Sequence, residues 1–439
     1  MIRSIPRLSG GRRAGVAVFI AALPLFDARA AFSSQDPKTA AVAEGLRSEN
    51  PSARRRAAIE LGKSRRPDAL PRLAELVRDP DMEVRIAVLR AIASLREIAG
   101  VPSMVVFLAD AQARVRSEAI DGVVEIYTHR DRPGVVRFLS IFSDGRDKPE
   151  PLVVTAVDFE VYRSLAARLR DSDMAVRESA AEAIGILGGT EVAVDLVAAL
   201  GDAVSDVRAA AATALIKVGT SADGEALTPL LKDPSATVRR RALAGLGRLK
   251  VADAAPELRA FFEKAPDSDE GILALNSLAE IALPADRPLF QRLVVQLDAR
   301  RRRPSIEALA RLGDKGNEAR FKREFQREKS EELRAAYAFA LFLFGDRPFI
   351  DTVILGFAGS KDRARQSRGY VEELGARALP EALDYLRELD SRIRIGLCDA
   401  LSTAGASDAI TAIEPLARDK DPQVAKSAAR ALTLLKRQR

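Results

Sequence analysis

Residues 171–200, DSDMAVRESAAEAIGILGGTEVAVDLVAAL, read as two short helices. The first opens at the cap candidates Asp171, Ser172 and Asp173. It aligns Val176, Ala180, Ile184 and Leu187 on one face and stops at Gly188-Gly189. The second is expected from about residue 190 to 200, with Val192, Leu196 and Leu200 on one side. Apolar residues recur at helical spacing, and acidic residues and glycines stand where helices begin and end. One such hairpin cannot bury its own apolar stripes, so the chain must repeat it.

The pair Val176-Arg177 marks the repeat. Val84-Arg85, Val115-Arg116, Val207-Arg208 and Val238-Arg239 copy it directly, and Ala53-Arg54, Arg301-Arg302, Leu333-Arg334 and Ile393-Arg394 copy it more loosely. Filling the gaps with Asp147, Gly271, Ala364 and Ala425 gives thirteen slots spaced 30 to 32 residues apart, two of the steps lying between Arg116 and Arg177. The residue seven places after each slot should face the core. Those residues are Leu61, Ile92, Val123, Val154, Ile184, Leu215, Leu246, Leu278, Leu309, Leu341, Val371, Leu401 and Leu432, all aliphatic. The expectation is an all-α solenoid of about thirteen helical hairpins.

A globular chain of 439 residues would divide into several cores, whereas stacked repeats extend one core along an axis. First helices are expected near 52–63, 82–97, 113–127, 174–187, 205–218, 236–249, 269–282, 303–312, 331–344, 362–374, 391–404 and 422–436. Second helices are expected near 68–78, 191–200, 253–263, 286–298, 347–357 and 379–388. Residues 39–142 form one run of repeats and 159–439 another. Between them 143–158 is an irregular repeat or joint, because SDGRDKPEP (143–151) puts proline and charge where a helix should start. A short helix from about Thr39 to Leu46 is expected to cover the first repeat. At the other end Lys436, Arg437 and Arg439 make a polar cap on a final helix.

The beginning of the chain differs. Arg3, Arg7, Arg12 and Arg13 precede an apolar run from Ala14 to Phe26 and then Ala28-Arg29-Ala30, the pattern of a cleavable secretory signal over 1–30. Residues 31–38 follow as a flexible leader. The run is too short to span a bilayer, which takes about 20 residues. The expectation is a periplasmic or secreted protein with no transmembrane helix in its mature form. The full chain carries +7, but residues 1–30 hold five Arg against one Asp, so the mature chain carries +3. Such a balanced surface has no special pull on nucleic acid.

The motifs DPDMEVR (79–85), DSDMAVR (171–177) and DPSATVR (233–239) resemble the HEAT-like repeats, in the short bacterial class first associated with phycobilisome lyases. The resemblance covers residues 40–439. It implies a right-handed superhelix with first helices on the convex side and second helices lining the concave side. It also implies that the arginine ladder (Arg54, Arg85, Arg116, Arg177, Arg208, Arg239, Arg302, Arg334 and Arg394) is structural. Each would bond an acid or carbonyl of a neighbouring hairpin, bidentate to carboxylates such as Asp79, Asp171 or Asp233.

Catalytic groups are scarce. His129 is the sole histidine and Cys398 the sole cysteine, the latter at a packing position of its helix. Gly245-Leu246-Gly247 falls inside a repeat helix with no strand before it, so it is no phosphate loop. No cofactor is expected, and a lyase-like or other catalytic solenoid is a remote alternative. The reading is a monomeric, non-catalytic scaffold that binds a protein partner through its second helices, with Arg72, Arg137, Arg168, Arg259 and Arg292 as candidate contacts. The alternative is an envelope-polymer or polyanion binder using Arg54–Arg56, Arg239–Arg241 and Arg300–Arg303.

Overall fold

The computed structural model describes residues 42–128 and 157–437, Ala43 excepted. Residues 1–38, Arg137, the 143–151 loop, His129, Val154 and Arg439 lie outside the described residues. The described chain is a single-file stack of helical hairpins without strands, an α-solenoid. Among the described residues no helix is long and apolar enough to cross a membrane.

Local chemistry sets each hairpin. Asp173 caps the helix Met174–Leu187 by accepting from the backbone N–H of Ala175 and Val176, and Gly188 ends it at φ 80°. Asp81 caps Met82–Leu95 in the same way. Small polar residues at Asn50, Ser268, Ser330 and Ser360 do so elsewhere. First helices of 13 to 16 residues recur in every described layer, from Pro51–Ser64 to Pro422–Arg437. One starts earlier than expected: Ala299–Arg311 begins at its Asp298 cap and carries Pro304 inside, rather than beginning near the proline.

Second helices are shorter than expected, such as Leu70–Ala74, Ala193–Ala199, Arg287–Leu293 and Leu379–Tyr385. Single 3-10 turns such as Pro67–Ala69, Thr190–Val192 and Pro284–Asp286 precede several of them. Before the first layer, the 3-10 turn Gly45–Arg47 brings in Leu46, which is buried against it. The twelve register residues within the described chain, from Leu61 to Leu432, are all buried. They form one continuous core with the apolar faces of the second helices.

Two expectations change. Among the described residues, the layer that follows Arg116 in the stack is the one that carries Arg177. The helix Ala113–Thr128 packs directly on Met174–Leu187, and Arg116 bonds Asp171 across that contact. Phe159–Arg168 serves as the second helix of this layer. The slot at Asp147 lies outside the described residues, among which there are twelve first helices.

The second change concerns which side is concave. The Tyr370 hydroxyl donates to Glu307 Oε1 at 2.6 Å, and Arg311 pairs with Glu373, each link joining first helices two layers apart. Helices pack about 8–10 Å apart, so next-but-one neighbours touch through side chains only on the inside of a curve. The first helices line the concave side and the second helices lie outside. Small residues permit this. A Cβ on Gly62 would lie 2.8 Å from Ala91 Cα, and one on Gly185 would lie 2.8 Å from Ala214 Cα.

Candidate interaction surface

Along one edge of the stack the ladder arginines join consecutive turns. Arg54 donates through Nε and Nη2 to Asp79 at 2.6 and 2.9 Å, while its Nη1 donates to the carbonyls of Ser48 and Glu49. Arg85 does the same with Asp110 and the carbonyls of Asp79 and Pro80. Arg177 with Asp202 and Arg208 with Asp233 continue the pattern. Each acid stands 25 residues beyond its arginine and also accepts from the backbone N–H two residues on, as Asp79 does from Asp81. Each of these turns is thus tied both to itself and to the next turn.

The exceptions follow from sequence. Position 264 is Lys, so Arg239 reaches Glu270 instead. Position 327 is Arg, and Arg302 takes Glu328. Position 359 is Gly, and Arg334 rests over the Phe325 ring at 5.0 Å. Arg394 bonds Asp419 at 3.2 Å.

The candidate partner contacts on second helices do not come together. Arg168 lies 3.4 Å from the ladder acid Asp171, Arg259 bonds the buried Asp286, and Arg72 is half-buried. Arg292 is exposed. All four sit on the outer side, contrary to the expectation that second helices line the concavity. The arginine run also meets acids. Arg300 pairs with Asp269, Arg301 with Asp267 and Asp298, Arg302 with Glu328, and Arg303 with Glu332 and Glu307.

The concave face carries charge in blocks. Its first layers present Arg55, Lys63 and Arg90 with Glu83 among them. The third and fourth present Glu118, Asp121 and Glu178 beside Arg114, with Glu125 and Glu182 buried, and the fifth and sixth present Lys217, Arg240, Arg241 and Arg248 beside Asp206. Glu182 is 4% exposed, and one of its carboxylate oxygens has no hydrogen-bond partner. Burial, then the neighbouring Glu178 and Asp121, push its carboxyl up to about 8.

Farther on, the face closes into a staple. Arg311 grips Glu373 with two bonds of 2.7 Å, donates to the Ala279 carbonyl at 2.8 Å, and lies 5.6 Å from the Phe339 ring. Tyr370 stacks on Phe339 at 4.3 Å and accepts from the Gln366 amide. Burial, then Glu307, hold the Tyr370 hydroxyl well above the ordinary phenol range. Cys398 is fully buried, and burial pushes its thiol up to about 12. Sequence reasoning missed these concave residues because it assigned the face to the wrong helices. The available signal was charge recurring five and nine places after the slots, as at Glu307 and Arg311.

This chain belongs to the HEAT repeat family: the model of HEAT repeats matches residues 39–124, 128–217 and 224–310. Among solved structures it is similar to an engineered protein at 18% identity, covering 91% of this chain and 99% of that one, with a TM-score of 0.41. It is also similar to the Escherichia coli protein YibA at 18% identity, covering 63% and 93%, with a TM-score of 0.41. A third is the complex of CpcE and CpcF of phycocyanin lyase from Nostoc, at 21% identity, covering 59% and 99%, with a TM-score of 0.29. No curated protein matches it in sequence.

Proposed function

We propose that this protein is an exported, non-catalytic scaffold that binds a protein partner along the concave face formed by its first helices. The observation that carries this reading is a continuous inner face of mixed charge, on which Glu118, Asp121 and Glu178 lie between basic clusters in the first two and the fifth and sixth layers, with Glu83, Arg114 and Asp206 of opposite sign among them. Alternating charge suits a folded partner of matching pattern and disfavours a uniform polyanion, which calls for continuous positive potential. Within the 300–303 run, Arg301 and Arg302 are paired and only 18% and 17% exposed, which also counts against the polyanion alternative. Export rests on the basic start, apolar run and Ala28-Arg29-Ala30 exit of residues 1–30.

The test is site-specific photo-crosslinking in the producing cell. A crosslinking residue at Thr213 or Arg240, on the inner face, should capture one dominant protein, and the same residue at Val194 or Arg292, on the outside, should not. Capture only from the outer positions would overturn the reading. The mass of the protein recovered from the envelope fraction checks export: loss of residues 1–30 is expected, and full-length protein confined to the cytosol would refute it.

A further inference from the structure

The concave face has one feature that its charge pattern does not use. Between the helices Pro51–Ser64 and Met82–Leu95 lies an open groove of about 460 Å³. Gly62 lets the two helices nearly touch, so Ile86, Ala87 and Ala91 beneath the groove are almost fully buried, and Ile59 on the wall is its exposed apolar residue. Ile59 is 38% exposed. The other large exposed apolar residues of the described chain, such as Val194, Leu297 and Leu389, lie on second helices, in turns or at helix ends, away from the concave face.

The rim of the groove is basic. The side chains of Arg55, Lys63 and Arg90 are 52%, 67% and 51% exposed, and Glu83 is the one acid among the lining residues. Their existing pairs with Glu83, Glu60 and Glu118 are surface ion pairs. Such pairs hold weakly, so a partner's carboxylates can replace them at little cost.

We infer that this groove is a docking site for an acidic polypeptide segment that carries an aliphatic anchor. The anchor covers Ile59, and its flanking carboxylates meet Arg55, Lys63 and Arg90. A phosphate polymer would satisfy the rim and leave Ile59 wet. A basic segment would face three cations. The inference rests on the proposed scaffold function and names where one part of the partner sits.

The test is fluorescence anisotropy with the full chain and a fluorescein-labelled 15-residue peptide of Glu with Leu at every fourth position. Saturable binding is expected, and Ile59→Glu and Lys63→Glu should each weaken it about tenfold or more, as loss of a central anchor does. Both sites are exposed, and an unchanged melting curve confirms that the variants fold. Equal binding of a Lys/Leu peptide, of polyglutamate, or of both variants would overturn the inference, as would full competition by polyphosphate.

In-cell crosslinking separates this failure from failure of the scaffold reading. If Ile59→Glu leaves capture at Thr213 intact and no partner is captured at Arg56, the groove assignment falls alone. If neither position captures a protein, both fall.

Discussion

Arg116 shows what a ladder residue does. Its side chain is 9% exposed, it grips Asp171 at 2.7 and 2.5 Å, and it donates to the carbonyls of Asp110 and Ala111. Arg116→Ala leaves Asp171 buried without its counter-charge, a loss of about 2–3 kcal/mol. Arg170→Ala, at a side chain 76% exposed, should cost at most about 1 kcal/mol. Urea unfolding of the two variants measures the difference. The ladder also has an acid limb. Bonds from Arg177 and Arg208 hold Asp202 and Asp233 below the ordinary aspartate range. At Asp171 burial acts in the opposite sense, and the bond from Arg116 overrides it. Stability from these carboxylates is fully present above their unfolded value, about 3.9, and is lost as pH falls through the depressed folded values. Asp233→Asn should therefore flatten the fall in melting temperature below about pH 4.

Glu182 behaves in the reverse way. Its folded carboxyl titrates near 8, so the folded state holds a proton that the unfolded chain gives up near about 4.3. It costs stability progressively as pH rises between those values. Glu182→Gln should raise the melting temperature at pH 8 and leave it unchanged near pH 4. The reverse ranking would mean that the carboxylate is ionised and useful in the fold.

At the scale of the helix, close approach decides the sign of a substitution. Gly→Ala inside a helix ordinarily gains up to about 1 kcal/mol. At Gly185, in Met174–Leu187, the new Cβ would lie 2.8 Å from the Ala214 backbone, so the two helices must part. Gly185→Ala should instead destabilise by about 1–3 kcal/mol in thermal or urea unfolding. Caps and stops were legible at this scale because they are local. Asp173 and Gly188 act on backbone groups within a few residues. The lengths of the second helices were less legible. Leu70–Ala74 and Ala193–Ala199 end where the chain must turn to place the ladder acids Asp79 and Asp202 beside their arginines, a demand made by another turn.

At the scale of the whole molecule the staple fixes curvature. Arg311–Glu373 and Tyr370–Glu307 each span two layers, so the staple resists opening of that part of the solenoid. Glu373→Gln combined with Tyr370→Phe should raise the radius of gyration in small-angle X-ray scattering while helix content by circular dichroism stays the same. An unchanged radius would mean that packing of the helices alone sets the bend.

The amino-acid sequence by itself determined the repeat, its core positions from Leu61 to Leu432 and the chemistry of its turns. These depend on period and on near neighbours, which a chain displays in order. Tertiary structure decided the rest. That Ala113–Thr128 meets Met174–Leu187 directly depends on which helices pack and not on spacing. The concave side was likewise decided by packing. Both helices of a hairpin are amphipathic, and either could face inward. The small residues Gly62, Ala91, Gly185 and Ala214 let the first helices approach more closely, and the stack bends toward its closer-packed side.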